Sequence, residues 1–210
     1  MGYTHNYGYC LGKENADFGM NIADFEKLRL QANKFANKIA TAPVASVKPI
    51  LDALGSYNGI ENLKALSEKF RDSFEQVVIF GTGGSTLGGK TIYSACKHLN
   101  IDENFNKPNK PTIIFFENID PYSFEGLFQR FDPKKTGLIF CSKSGETSET
   151  IAHLLLSIEK FKRVKDGIDI GKHFLTVTQP GKNSIRTISM DNKIVTIDSP
   201  PKIGGRFSAF

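Results

Sequence analysis

The segment of residues 142–150, here called the hydroxyl loop, carries hydroxyl side chains at Ser142, Ser144, Thr147 and Thr150, together with Lys143 and Gly145. An apolar run at 137–140 precedes the loop and predicts a buried strand, and residues 151–158 after it predict a helix. Ligands bind at such strand-to-helix loops in open α/β sheets. Hydroxyl donors, a lysine ammonium and the free N–H groups of a helix amino terminus all favour an anion. The segment therefore predicts a cradle for a phosphate monoester.

Helix capping offers a simpler explanation of the same residues. Serine and threonine are common at helix amino termini and in turns. A capping box, however, requires only one hydroxyl and one acid at the right spacing. The additional hydroxyls, Lys143 and Gly145 exceed that requirement and favour an anion site.

A second strand-to-helix loop is rich in glycine and covers residues 81–89, here called the glycine loop. It lacks the third glycine of a dinucleotide-binding fingerprint. Residues 84–91 do satisfy the P-loop pattern, so a nucleoside-triphosphate site is an alternative. Against it, a helix beginning at Thr86 would place Lys90 inside the helix, and no later strand ends in an acid suited to hold magnesium.

Four stretches together resemble the glucose-6-phosphate isomerase family. Residues 142–150 resemble the phosphate loop of sugar isomerase domains, and residues 81–88 resemble that family's first glycine loop. Residues 204–208 are similar to its Gly-Gly-Arg-(Tyr/Phe)-Ser signature, and residues 118–121 to its Asn-x-Asp turn. Order and spacing agree over roughly residues 75–210, which resemble an amino-terminal portion with the first sugar isomerase (SIS) domain.

The resemblance implies an aldose–ketose isomerase of glycolysis and gluconeogenesis that interconverts glucose 6-phosphate and fructose 6-phosphate through an enediol, without metal or organic cofactor. It implies Arg206 as the catalytic residue that stabilises enediolate charge. It assigns substrate binding to Gly84, Ser85, Ser142, Lys143, Ser144, Thr147, Thr150 and Gly205. Thr86 stands where the family usually has an acid, and Glu149 is expected to support the hydroxyl loop.

The family's catalytic glutamate, ring-opening histidine and late lysine match no residue of this chain. The resemblance therefore implies that they lie beyond Phe210, that residues 1–210 alone are inactive, and that the full-length enzyme is a homodimer. A non-catalytic sugar-phosphate-binding module, as in regulators, is the alternative of another class. Aminosugar isomerases share the hydroxyl loop but differ at residues 204–208.

The elements that position these loops can be read from the apolar pattern. Residues 1–20 predict an extended arm, Asp24 a helix cap, and residues 47–54 and 60–74 further helices. From residue 76 onward, apolar strands near 77–80, 112–116, 138–141, 174–178 and 194–197 alternate with helices. This alternation predicts a doubly wound, five-stranded parallel sheet in a three-layer αβα sandwich. Since both loops follow strands at their carboxyl ends, we expect the glycine loop and the hydroxyl loop at the same edge of this sheet. The expected domains are an arm with helices at 1–74 and a SIS domain at 75–210.

Composition excludes several other classes of function. No apolar run approaches the ~20 residues that span a bilayer, and no basic run with interleaved aromatics indicates nucleic-acid binding. Three widely spaced cysteines do not indicate a disulfide framework or a zinc site. We therefore expect a cytoplasmic protein without nucleic-acid or membrane partners, in which Cys141 and His153 are structural.

Overall fold

The computed structural model describes residues 8–12, 19–41, 48, 52, 60–99, 111–165, 167–201 and 203. The chain divides into two compact units, Met1–Gly55 and Ser56–Phe210. The domain limits predicted from the sequence, with a boundary at residue 75, stay a prediction. Of the helix predicted at 47–54, only Lys48 and Asp52 are among the described residues.

The first unit contains helix α1, Ile22–Thr41. Asn21 caps it, because the Asn21 side chain accepts a hydrogen bond from the Asp24 N–H at 2.8 Å and donates one to the Asp24 carboxylate at 2.7 Å. The prediction that Asp24 caps the helix was therefore wrong. Asp24 is the acid three residues later, and its carboxylate binds the Asn21 side-chain amide, whereas the acid of a capping box binds the backbone N–H of the cap residue.

The second unit is built on five strands. They are β1 Gln76–Gly81, β2 Thr112–Phe116, β3 Thr136–Cys141, β4 Phe174–Thr178 and β5 Val195–Asp198. All neighbouring strands pair in parallel, in the order β2-β1-β3-β4-β5. The predicted five-stranded parallel sheet is confirmed.

Helices connect these strands. They are α2 Ile60–Ser73, α3 Leu87–Leu99, α4 Pro121–Phe128, α5 Ser148–Lys162, α6 Ile170–His173 and α7 Ser184–Asp191. A 3₁₀ turn, Gly83–Ser85, precedes α3. The sequence did not predict α6, because a single turn is too short to show helical periodicity.

Side chains alternate along the strands and build a core on each face of the sheet. On one face Phe80, Leu138 and Phe140 pack with Leu154 and Phe161 of α5. The other face carries a smaller cluster of Phe70, Phe74, Val77 and Leu175. Helices on both faces make the three-layer αβα sandwich, as predicted.

Among the described helices, none has both the length and the apolar character required to cross a membrane.

Candidate functional site

The hydroxyl and glycine loops leave the sheet side by side. β1 and β3 are parallel neighbours, and Gly81, the last residue of β1, pairs in register with Cys141, the last residue of β3. β2 lies on the other side of β1, so the winding of the sheet reverses between β1 and β3. Open α/β sheets bind ligands at this switch point, outside the carboxyl ends of the strands. The predicted meeting of both loops at one edge is confirmed.

Hydrogen bonds within the hydroxyl loop fix its shape. The Ser142 and Thr147 hydroxyls lie 2.8 Å apart and share a hydrogen bond, and the Gly145 N–H donates to the Ser142 hydroxyl at 3.1 Å. The Glu146 N–H donates to the Ser144 hydroxyl at 3.2 Å. Since Ser142 is buried, its hydroxyl shapes the loop from the inside.

The other predicted residues of the hydroxyl loop differ in exposure. Ser144 is exposed, and Lys143 and Thr147 are partly exposed. Thr147 is the N-cap residue of α5 but makes no side-chain cap bond, since its hydroxyl meets Ser142 instead. Within the described part of the chain, no side chain caps the first-turn N–H groups of α5, which suits an anion. Thr150 is fully buried, and its hydroxyl has no partner among the described residues.

Residues 183–185, at the beginning of α7, bind the hydroxyl loop and are here called the clasp. The Glu146 carboxylate accepts hydrogen bonds from the Ser184 N–H at 2.8 Å and the Ser184 hydroxyl at 2.6 Å, and these bonds lower the pKa of Glu146. The Ile185 N–H donates to the Gly145 carbonyl at 3.1 Å. Glu146 therefore provides the support that was expected of Glu149, which forms no hydrogen bond with another described residue.

Gly145 and Asn183 are in close contact inside this clasp. Gly145 has a φ of +72°, and a Cβ atom there would lie 2.1 Å from the Asn183 side-chain oxygen. That oxygen caps α7 by accepting a hydrogen bond from the Arg186 N–H at 2.9 Å. Sequence reasoning missed this role of Asn183, although an asparagine just before a predicted helix is a common capping signal.

The glycine loop is a tight turn followed at once by a helix. The Ser85 and Thr86 N–H groups donate to the Thr82 and Gly83 carbonyls, each at 3.2 Å. α3 begins at Leu87, so Lys90 lies in its first turn. A P-loop requires residues up to Lys90 as an open loop around the phosphates, and the early helix start leaves no such loop. The P-loop alternative is therefore wrong.

A carboxylate that directly follows β2 holds this turn. The Glu117 carboxylate accepts hydrogen bonds from Lys90 at 2.8 Å and from the Thr86 hydroxyl at 2.6 Å. The bonds from Lys90 and Thr86, in that order of size, lower the pKa of Glu117. Glu117 was missed because it lies 31 residues from Thr86 and belongs to no local motif.

The surroundings of Cys141 and His153 support the structural roles predicted for them. Burial raises the pKa of the Cys141 thiol to about 12, so the thiol is protonated and a poor nucleophile at neutral pH. His153 is buried, and its Nε2 lies 3.1 Å from the Asn118 carbonyl oxygen. Removal from water lowers the pKa of His153, which keeps the ring neutral. The Nε2 atom therefore donates to Asn118.

The remaining predictions concern the turn at residues 118–121, which contains Asp120, and the residues Gly205 and Arg206. Asp120 is the N-cap of α4 and accepts a hydrogen bond from the Ser123 N–H at 2.8 Å. Gly205 and Arg206 lie outside the described residues. Within the described part of the chain, no cluster of three His, Cys, Asp or Glu side chains is arranged to hold a metal ion.

Comparison with known proteins points to one family. The sequence model of the family described as phosphoglucose isomerase matches residues 25–210. The glucose-6-phosphate isomerase of Carboxydothermus hydrogenoformans is 32% identical over 150 residues, which are 71% of this chain and 32% of that protein. The probable glucose-6-phosphate isomerase of Methanococcus maripaludis is 24% identical over 98% of this chain and 44% of its own length.

A solved structure has the same fold in the matching region. The crystal structure of a glucose-6-phosphate isomerase from Chlamydia trachomatis superposes with a TM-score of 0.55 at 31% identity, over 67% of this chain and 25% of that one. The chain thus spans less than half the length of the relatives it matches.

Proposed function

The chain belongs to the phosphoglucose isomerase family, and from this premise we propose that it supplies the phosphate-binding half of an enzyme that interconverts glucose 6-phosphate and fructose 6-phosphate. The observation that carries the proposal is the pairing of Gly81 with Cys141. This register brings the glycine loop and the hydroxyl loop together at the switch point of the sheet. One loop can then hold the phosphate while the other contacts the sugar.

The phosphate is assigned to the hydroxyl loop. Ser144 is exposed and Lys143 and Thr147 are partly exposed, so these three offer a cation and two hydroxyls beside the amino terminus of α5. Ser142 and Thr150 are buried and support the loop from the protein interior. Binding energy at the remote phosphate would align the reacting sugar carbons.

The chemistry would follow an enediol route. A carboxylate base moves a proton between C2 and C1 of the opened sugar. Gly84, Ser85 and Gly205 would contact the sugar, and Arg206 would stabilise the enediolate charge. An effective general base has a pKa near the working pH. Hydrogen bonds lower the pKa values of Glu117 and Glu146 instead. These two carboxylates are therefore poor candidates for the base, and the family resemblance assigns it to the part of the relatives that residues 1–210 do not match.

Ligand titration tests the phosphate assignment. Fructose 6-phosphate and inorganic phosphate are titrated by NMR into the wild-type chain and a Ser144→Ala/Thr147→Ala variant, with glucose as the neutral control. A hydrogen bond to a charged group contributes about 1.5–3 kcal/mol, so we expect the double variant to bind both anions at least tenfold more weakly. Equal affinity for the two proteins would contradict the assignment.

A coupled assay tests the missing base. We expect the 210-residue chain to show negligible conversion of fructose 6-phosphate at any pH. Robust turnover would place the base within this chain, and the loss of turnover in Glu149→Gln, but not in Glu159→Gln, would identify it as Glu149.

The proposal extends to a cytoplasmic, homodimeric full-length enzyme whose partners are its sugar-phosphate substrates, without a nucleic-acid or membrane partner. No observation favours the regulatory alternative. Sedimentation of the full-length protein measures the predicted dimer.

A further inference from the structure

The two oxygens of the Glu117 carboxylate bind two different parts of the glycine loop. Glu117 directly follows β2, which pairs with β1 up to the register of Phe80 with Phe116. One oxygen accepts from the Thr86 hydroxyl at 2.6 Å and the other from Lys90 Nζ at 2.8 Å. The carboxylate thus joins the end of the 3₁₀ turn to the first turn of α3.

Thr86 transmits this contact to the backbone of the loop. Its side chain is buried, its N–H donates to the Gly83 carbonyl at 3.2 Å, and its carbonyl accepts from the Lys90 N–H at 2.9 Å. Gly84 and Ser85 lie between Gly83 and Thr86, so fixing Thr86 fixes the turn that presents them.

The residue after Glu117 contacts the helix that follows the other loop. The Asn118 carbonyl oxygen lies 3.1 Å from His153 Nε2, and His153 lies on α5, which begins at the hydroxyl loop. Residues 117 and 118 therefore bind both the glycine loop and the helix that carries the hydroxyl loop.

We propose that Glu117 is a positioning residue that sets the distance of Gly84 and Ser85 from the hydroxyl loop, and thereby the affinity of the site for the sugar part of a sugar phosphate. This inference rests on the proposed function for its ligand. The positioning itself depends only on the bonds to Thr86 and Lys90. Because the hydroxyl loop has its own bracing, inorganic phosphate should bind independently of Glu117.

The first experiment measures positioning without a ligand. Amide hydrogen exchange is followed by NMR in the wild-type chain and in Glu117→Gln, Thr86→Val and their double variant. We expect exchange at Thr86 and Lys90 to become about tenfold faster in each variant, with no change at Gly145. At Thr86 the double variant should change less than the sum of the single variants, since both act on the Thr86–Glu117 bond, whereas the bond to Lys90 is altered only through Glu117.

The second experiment measures selectivity. In Glu117→Gln we expect about tenfold weaker binding of fructose 6-phosphate and unchanged binding of inorganic phosphate. Glu75→Gln removes a comparable exposed lysine–glutamate pair, in which Lys135 Nζ lies 2.7 Å from Glu75, and serves as the matched control with no effect on either ligand.

Unchanged exchange at Thr86 and Lys90 in Glu117→Gln would overturn the inference. Equal weakening of both ligands would also overturn it, since Glu117 would then support the whole site instead of the sugar subsite. If the wild-type chain binds neither ligand, the proposed function and the ligand assignment fail together, while the exchange rates still decide the positioning role.

Discussion

The hydroxyl loop and the glycine loop leave adjacent strands at the same edge of the sheet, yet they are held in different ways. The hydroxyl loop is braced by its own hydroxyls and by the clasp from the segment after β4. The glycine loop is a short turn whose side-chain anchor is Thr86, bound to one carboxylate, that of Glu117 directly after β2. Under the proposed function the hydroxyl loop holds the phosphate dianion and gains from distributed support, because charge-assisted bonds depend on donor geometry. The glycine loop, proposed to contact the neutral sugar, requires less support.

Glycine substitutions should give the largest difference between the two loops. Both Gly145 and Gly83 have positive φ, +72° and +54°, but a Cβ at Gly145 would collide with Asn183, whereas a Cβ at Gly83 would meet nothing within 4 Å. Backbone strain alone costs about 1–2 kcal/mol. We expect Gly83→Ala to lose about that much and Gly145→Ala about 2–5 kcal/mol of unfolding free energy. Urea unfolding measures both. Equal losses would show that Asn183 moves away from residue 145 without a further cost in unfolding free energy.

Substitution of His153, on the helix that follows the hydroxyl loop, should change the unfolding free energy by a smaller amount that depends on pH. The pKa of His153 is lowered from 6.5 in the folded chain, so the unfolded chain binds more protons below pH 6.5. The contribution of His153 to the free energy of unfolding is therefore fully present above pH 6.5 and is lost as pH falls through the pKa of the folded chain. His153→Phe should cost about 1 kcal/mol at pH 7.5 through the lost bond to Asn118 and should weaken the acid dependence.

Urea unfolding at pH 7.5 and 5.5 separates these two contributions. The difference between wild type and variant at pH 7.5 reports the lost bond and altered packing, and its change at pH 5.5 reports the titration. An identical difference at both pH values would contradict a lowered pKa for His153.

The smallest effect concerns the Glu146–Ser184 contact. Its two hydrogen bonds lower the pKa of Glu146 below the usual 4.5, so the contact is intact above pH 4.5 and is lost as pH falls through the folded pKa. In Ser184→Ala only the backbone bond remains, and the pKa should move partly back. NMR titration of the residue 184 amide measures the midpoint. If the midpoint is the same in Ser184→Ala, the Ser184 hydroxyl does not contribute to the contact with Glu146.

The sequence predicted the sheet and the meeting of the two loops, because strands such as Val77–Phe80 and Leu138–Cys141 are continuous apolar runs and parallel strands end at one edge. It did not predict Glu117 or the clasp of Glu146 by Ser184. Those pairs are 31 and 38 residues apart and arise only when neighbouring strands align. A periodic pattern is a local property, whereas these contacts depend on register. The cap of α1 was misassigned because Asn21 and Asp24 both fit a capping signal, and only the geometry distinguishes them.

The close packing of Gly145 against Asn183 also restricts how the sequence can change over evolution. A side chain at position 145 requires a smaller residue at 183, and among smaller residues serine keeps a side-chain oxygen that can cap α7, whereas glycine and alanine do not. A side chain at position 145 alone is expected to lower stability by collision with Asn183, and a paired change at 183 still leaves strained backbone at φ +72°. The residue types at the two positions therefore constrain each other, although the positions are 38 residues apart in the sequence.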